Sequence, residues 1–123
     1  QFEEYVRRVG NKISLIMGVD ELMFASLMVG GKGMVNAVGN IVPDMVTKLY
    51  EEFQKGNFEK AKEIQNKLYI LKKAFLAATY PAPIMAALNL IGKPGGYPRR
   101  PVLPVTKEQE EIIKNALIAI GKL

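Results

Sequence analysis

A chain of 123 residues, 49% of them hydrophobic and with a formal net charge of +5, has the size of one domain and enough apolar side chain for a core. It has no cysteine and no histidine, which excludes disulfides, thiolate nucleophiles, imidazole bases and Cys- or His-liganded metals. No run approaches the roughly 18 consecutive apolar residues of a membrane span and no signal-peptide pattern is present, so a cytoplasmic, soluble protein is the expectation.

The basic charges, with a sequence pI ≈ 9.5, alternate with glutamates along helix faces. Arg99 and Arg100, following Lys93, form the one dense basic cluster. A solvated surface is the plainer meaning of that balance, and an anion-binding surface the alternative. The chain starts at Gln1 without an initiator Met, inside what already reads as an amphipathic helix, and so reads as a piece cut from a longer polypeptide.

That first helix runs from Phe2 to Val9 and stops at Gly10-Asn11. Residues 12–17 are nearly all apolar and predict a strand covered on both faces. Asp20 and Glu21 then open a helix over 20–29, where two carboxylates complement the helix dipole. Leu22, Met23, Phe24, Leu27, Met28 and Val29 make this helix apolar nearly all round, so more than one side must be packed. Gly30-Gly31-Lys32-Gly33 turns the chain into a second strand over 34–38.

Pro43 stands at the start of the next helix, which runs to Lys55 with Met45, Val46, Leu49, Tyr50 and Phe53 on one stripe and Lys48, Glu51, Glu52 and Lys55 opposite. Gly56 stops it and Asn57 is the expected cap of a long helix over 58–78, which buries Ala61, Ile64, Leu68, Leu71 and Phe75. A short apolar helix follows over 84–91. Residues 93–105 hold Pro94, Pro98, Pro101 and Pro104 and predict an extended crossing segment. Thr106 and Gln109 form a capping box for the last helix, with Ile112, Ile113, Leu117 and Ile120 directed inward.

Strand, helix, strand, helix at this spacing is a repeated parallel β/α unit. Two parallel strands cannot bury both their faces unaided, so the pair needs further sheet or helix around it. The carboxyl ends of such strands are where ligands bind in β/α architectures. Two segments lie there. In Gly18-Val19-Asp20-Glu21, the glycine would let a ligand reach the backbone and the acids would accept hydrogen bonds from hydroxyls; the plainer reading of Asp20 is a helix cap. In the second, Asn36-Ala37-Val38-Gly39-Asn40, Asn36 is either a substrate contact or a polar residue satisfied near the strand end. Gly30-Gly31-Lys32-Gly33 is not a phosphate loop, because a strand rather than a helix follows the lysine. Ser14 and Ser26 lie outside any nucleophile elbow, and no lysine sits inside an apolar strand where desolvation would prepare it for imine chemistry; Lys12, at the entry to the first strand, is at the wrong end.

The order Met17-Gly18-Val19-Asp20-Glu21, Phe24-Ala25-Ser26, Val29-Gly30-Gly31-Lys32-Gly33-Met34-Val35, Asn40, Pro43, Gly56-Asn57-Phe58, Pro81-Ala82-Pro83 and Gly96-Tyr97-Pro98-Arg99-Arg100-Pro101 resembles the C-terminal part of the dihydrodipicolinate synthase / N-acetylneuraminate lyase family. The resemblance implies an α/β fold: the C-terminal portion of a (β/α)₈ TIM barrel, strands seven and eight with their helices over residues 1–56, then a C-terminal three-helix extension over 57–123, in a chain that is itself mostly helical. It implies a class I, Schiff-base aldolase or lyase that joins or splits a 2-oxo acid such as pyruvate and an aldehyde of the 2-keto-3-deoxy sugar acid, N-acetylneuraminate or dihydrodipicolinate type. It implies no cofactor and no metal. Its imine-forming lysine belongs to strand six, so no catalytic residue is expected here and the chain alone should be inactive.

What the resemblance carries onto this chain is substrate contact: Gly18, Asp20 and Glu21 with the hydroxylated tail, the Val35 carbonyl at the imine region, and Ala37 where the lyase branch has a serine. Departures are Met17-Gly18-Val19 where the synthase branch reads Ser-Gly-Asp, and Tyr80-Pro81-Ala82-Pro83-Ile84-Met85 where it reads Asn-Pro-x-Pro-x-Lys. The expected partners are the small-molecule substrates, the remainder of the barrel, and further copies in a tetramer or dimer, with neither nucleic acid nor membrane. The competing reading is a non-catalytic helical module that binds an anionic partner through its basic surface.

Overall fold

The computed structural model describes residues 1–123. The elements in order are α1 (Phe2–Val9), β1 (Ile16–Met17), a 3₁₀ turn (Asp20–Leu22), α2 (Met23–Met28), β2 (Gly33–Met34), a second 3₁₀ turn (Val38–Asn40), α3 (Pro43–Gln54), α4 (Phe58–Ala74) with a 3₁₀ end (Phe75–Ala77), α5 (Ala82–Leu90) and α6 (Lys107–Ala119).

β1 and β2 are parallel, with Ile16 opposite Gly33 and Met17 opposite Met34. Lys32 N donating to Leu15 O and Val35 N donating to Met17 O, at 2.9 and 2.8 Å, continue the pairing by one bond at each end. The strands are much shorter than the apolar runs at 12–17 and 34–38 predict. β1 has one neighbour, so residues 12–15 have no ladder on their other side. The second run stops early because Ala37 turns into the helical region (φ −79°, ψ −40°).

The connection between them is tight. Gly30 (φ +100°) and Gly31 end α2, with Gly30 N on Leu27 O and Gly31 N on Ser26 O, the paired bonds of a Schellman stop. A Cβ on Gly31 would sit 2.7 Å from the Ser26 carbonyl oxygen, so no side chain fits there. α2 is six residues long and not the ten expected, since its first turn is 3₁₀.

One apolar cluster of 17 buried residues joins the strand-proximal elements to the helices beyond Gly56. Met23, Leu27, Val38 and Val42 meet Leu49 from α3, Leu68 and Leu71 from α4, Ala87 from α5, and Ile113 and Leu117 from α6. Each fully buried Leu or Ile contributes about 1.5–3 kcal/mol, and α4 lies at the centre of the cluster. Phe53 links the layers, with its ring centroid 6.1 Å from Phe24 and 5.3 Å from Phe58.

Three local expectations are corrected. Asn57 does not cap α4; its amide donates to Glu52 Oε2 at 2.8 Å, and Glu52, placed on the solvent stripe by its spacing, is buried. The turn explains both. Gly56 (φ +78°) reverses the chain so that α3 and α4 pack side by side, and the Glu52 carboxylate is folded in under Asn57, with Lys60 Nζ 3.3 Å from its other oxygen. Ile112 faces solvent beside the inward Ile113. The capping box of α6 is as expected, with Gln109 N on Thr106 Oγ1 and Thr106 N on Gln109 Oε1.

Candidate functional site

Parallel pairing puts the carboxyl ends of β1 and β2 at one edge, and the loop after each strand leaves from it. The Gly18–Glu21 loop and the Val35–Ala37 loop are therefore neighbours, and one side chain joins them. Asp20 is buried, and its Oδ1 accepts from the backbone N–H of both Ala37 and Val38, each at 2.9 Å. Those N–H groups open the 3₁₀ turn at Val38–Asn40. Asp20 thus caps the turn after β2, not the helix in which it lies. Charge-assisted bonds of this kind are roughly twice as strong as neutral ones, which offsets the cost of burying the carboxylate.

The other residues singled out by the sequence fall around this link. At Gly18 an added Cβ would meet nothing within 4 Å, so the backbone there is open. Glu21 is half-buried beside it. Val35 is 73% exposed; its N–H is used on Met17 O, while its carbonyl accepts no backbone hydrogen bond. Ala37 is half-buried with both backbone groups engaged, the N–H on Asp20 and the carbonyl by the Asn40 side chain at 3.1 Å. Asn36 is satisfied locally: its Oδ1 accepts from Gly39 N at 2.6 Å, and that oxygen fills the space a Cβ on Gly39 would need. Of the two readings of Asn36, the satisfied polar residue is the one seen.

Two residues of the site come from α4: Gln65, which the sequence does not single out, and Lys72, which its spacing places on the exposed stripe of the helix but which is turned toward Asp20. Gln65 Nε2 donates to the Asp20 carbonyl oxygen at 3.0 Å, and Gln65 Oε1 accepts from Phe24 N at 2.9 Å. Lys72 Nζ lies 3.9 Å from Asp20 Oδ2, a charge contact too long for a hydrogen bond. The available signal was position: Gln65 falls four residues after Ala61 and three before Leu68, on the buried stripe of α4.

Chemically, the edge offers an open backbone at Gly18, a free carbonyl at Val35 and the Glu21 carboxylate. No Lys side chain is among the residues at Gly18–Glu21 or Val35–Ala37. The one cation close by, Lys72, sits behind the loop against Asp20.

The sequence model of the Dihydrodipicolinate synthetase family matches residues 1–120. The 4-hydroxy-tetrahydrodipicolinate synthase of Methanocaldococcus jannaschii is 39% identical over 110 residues, which are 89% of this chain and 38% of that one. The enzyme of the same name from Methanopyrus kandleri is 30% identical over 121 residues, 98% of this chain and 40% of that one. The crystal structure of the dihydrodipicolinate synthase of Thermotoga maritima matches with a TM-score of 0.92 at 32% identity, covering 100% of this chain and 43% of that one. The lysine-bound enzyme of Cyanidioschyzon merolae matches with a TM-score of 0.92 at 31% identity, covering 100% and 42%. The chain thus spans about two fifths of the length of these relatives. A match along nearly the whole chain, in sequence and in backbone, places it: this chain belongs to the dihydrodipicolinate synthetase family.

Proposed function

We propose that residues 1–123 serve as the C-terminal part of a class I aldolase that acts on pyruvate or a related 2-oxo acid. In this reading β1 and β2 are strands seven and eight of a (β/α)₈ barrel, residues 1–56 complete the barrel, and residues 57–123 form its helical extension. The observation that carries it is the parallel β1–β2 pair with two linked loops at its carboxyl edge, in a chain that matches solved dihydrodipicolinate synthases end to end.

A lysine outside this segment would condense with the 2-oxo acid, releasing water and giving an imine. Loss of a C3 proton gives an enamine, whose carbon bonds to the aldehyde carbon while the aldehyde oxygen takes a proton. Cleavage runs the same steps backwards. Here the chain supplies the acceptor side of the pocket. The Val35 carbonyl faces the imine region, Gly18 admits the aldehyde to the backbone, Glu21 accepts from its hydroxyl or hydrate, and Ala37 is a wall without a hydroxyl. Asp20 stands beneath these groups, its Oδ1 held by Ala37 N and Val38 N and its Oδ2 facing Lys72.

The names of the relatives support an aldehyde of the synthase branch over a sugar-acid one. Assembly with other copies belongs to the same proposal; one solved neighbour at 32% identity is described as a monomeric dihydrodipicolinate synthase variant, so the number of copies varies within the fold. The anion-binding helical module is not favoured, because the uncovered surface near the strands is apolar.

The test is borohydride reduction with pyruvate on the full-length polypeptide that contains this chain, followed by peptide mapping. The reading expects one lysine to gain the reduced pyruvyl adduct. Full turnover with no adduct would sink it.

A further inference from the structure

The extension is not only a prop for the barrel. We infer that Gln65, acting through Asp20, is a positioning residue through which α4 sets the spacing of the two loops at the carboxyl edge; this rests on the proposed aldolase reading for its kinetic consequence, though not for its structural one.

Every link is a direct bond. Gln65 is fixed at both ends of its amide: Oε1 accepts from Phe24 N and Nε2 donates to the Asp20 carbonyl. The amide therefore spans the 3₁₀ turn at Asp20–Leu22 and the first turn of α2 and holds them in one register. Asp20 is the next link, its Oδ1 gripping Ala37 N and Val38 N. The hydrogen-bonded path from α4 to the turn after β2 thus runs through two side chains, alongside the apolar packing of Val38 with Leu68 and Leu71 in the common core and the Lys72 charge contact at Asp20. Gln65 and Asp20 are both buried, at 9% and 4% exposure, where a polar group without hydrogen-bond partners is costly. An apolar side chain at Gln65 would pack as well against Leu68 and Ala61. A glutamine there is costly unless its two bonds are made, which ties the residue to geometry and not to bulk.

The three segments so joined are far apart in sequence, at Asp20, Ala37 and Gln65, and only the first two carry pocket residues. The only hydrogen bonds between the two loops beyond the strand pair are those of Asp20, beside the apolar packing of Met23 and Val38 in the common core, and Gly18 and Val35 are open to solvent. A shift of Asp20 therefore moves Gly18 and Glu21 on one side and the 3₁₀ turn with Ala37 on the other. The imine lysine lies elsewhere and is left in place.

The experiment uses the full-length polypeptide with Gln65→Met, which keeps length and apolar packing but makes neither bond, and Gln65→Glu, which still accepts from Phe24 N and cannot donate to the Asp20 carbonyl when ionised. The positioning role predicts that amide exchange at Ala37 and Val38, outside the mutated helix, speeds up by about threefold to tenfold in Gln65→Met. It predicts that KM for the aldehyde rises by a similar roughly threefold to tenfold, while the rate of pyruvate adduct trapping stays within about twofold. The Glu variant, which keeps one bond but sets a carboxylate against the Asp20 carbonyl, should show the same changes. If both variants only lower the melting temperature, with exchange at Ala37 and Val38 and the aldehyde KM unchanged, Gln65 is a packing residue and the inference is wrong. If Gln65→Met does not fold, the Glu variant decides by the same two readings. Failure of trapping in the unsubstituted polypeptide strikes the aldolase reading instead, and the exchange measurement still decides the inference.

Discussion

The apolar residues facing the helices' common core and those around β1 come from similarly apolar sequence, yet they end in opposite conditions. Leu49, Leu68, Leu71, Ile113 and Leu117 have no exposed surface. Ile13, Ile16, Leu22 and Met28, around β1 and α2, are each about half exposed, from 46% to 56%. The helical half closes a core because four long or medium helices can turn one stripe each toward one another, while Ile70, Leu76, Ile112 and Ile118 on their outer faces stay exposed. The strand half cannot, because a parallel sheet needs cover on two faces and neighbours on two edges. The apolar surface left around β1 is where the rest of the proposed barrel would attach, and Asp20 lies at its border with the filled core.

Truncating one side chain in each half sharpens this contrast. Leu71→Ala opens a cavity in the filled half and should cost about 2–5 kcal/mol by urea denaturation, in the isolated chain and in the full-length polypeptide alike. Ile16→Ala should stay within about 0.5 kcal/mol in the isolated chain, where the side chain is half exposed already, and cost about 2–5 kcal/mol once neighbouring strands bury it. Equal costs in both contexts would erase the distinction between the halves.

At the boundary itself, Asp20→Ala leaves two N–H groups, at Ala37 and Val38, without an acceptor. We expect a loss of about 2–4 kcal/mol, with Asp20→Asn milder because its amide oxygen still accepts. Away from the boundary the effects shrink. Thr106→Ala removes the capping oxygen of α6 and should cost about 1 kcal/mol in thermal melts, with no change at the strand edge.

A pH titration gives the smallest and most local reading. The Asn57 amide first, and Lys60 next, hold the Glu52 carboxyl below its ordinary value of 4.5, against the opposing effect of burial. The folded chain therefore takes up this proton less readily than the unfolded one. Its contribution is complete above about pH 4.5 and is lost as pH falls through the lower folded value. Glu52→Gln should flatten that part of the acid limb of stability; an unchanged limb would assign it to other carboxylates.

The parallel β/α order was legible because it rests on short-range signals: apolar runs, a double-glycine turn, Pro43 at a helix start, and the Thr106–Gln109 box. The strand lengths were not, since an apolar run says that a segment is buried somewhere and does not say how many ladder bonds it finds. Asp20 read as a cap or a substrate contact because its partners at Ala37 and Val38 lie seventeen and eighteen residues away. Gln65 was missed because its partner lies 45 residues away, and Glu52 because the Gly56 turn, not the helix spacing, folds it inward. A polar residue on a helix is assigned to solvent by its type, and only the fold shows that Gln65 meets the Asp20 turn and that Glu52 is folded under Asn57.

The central claim is that β1 and β2 are an interior stretch of a larger sheet. Sedimentation of residues 1–123 alone, at rising concentration, tests it most directly. The uncovered Ile13, Ile16, Leu22 and Met28 should drive open-ended, concentration-dependent association, whereas the full-length polypeptide, which buries them, should settle into one defined assembly. A single monomeric species at every concentration, with native helical content and the β1 edge open to solvent exchange, would contradict it.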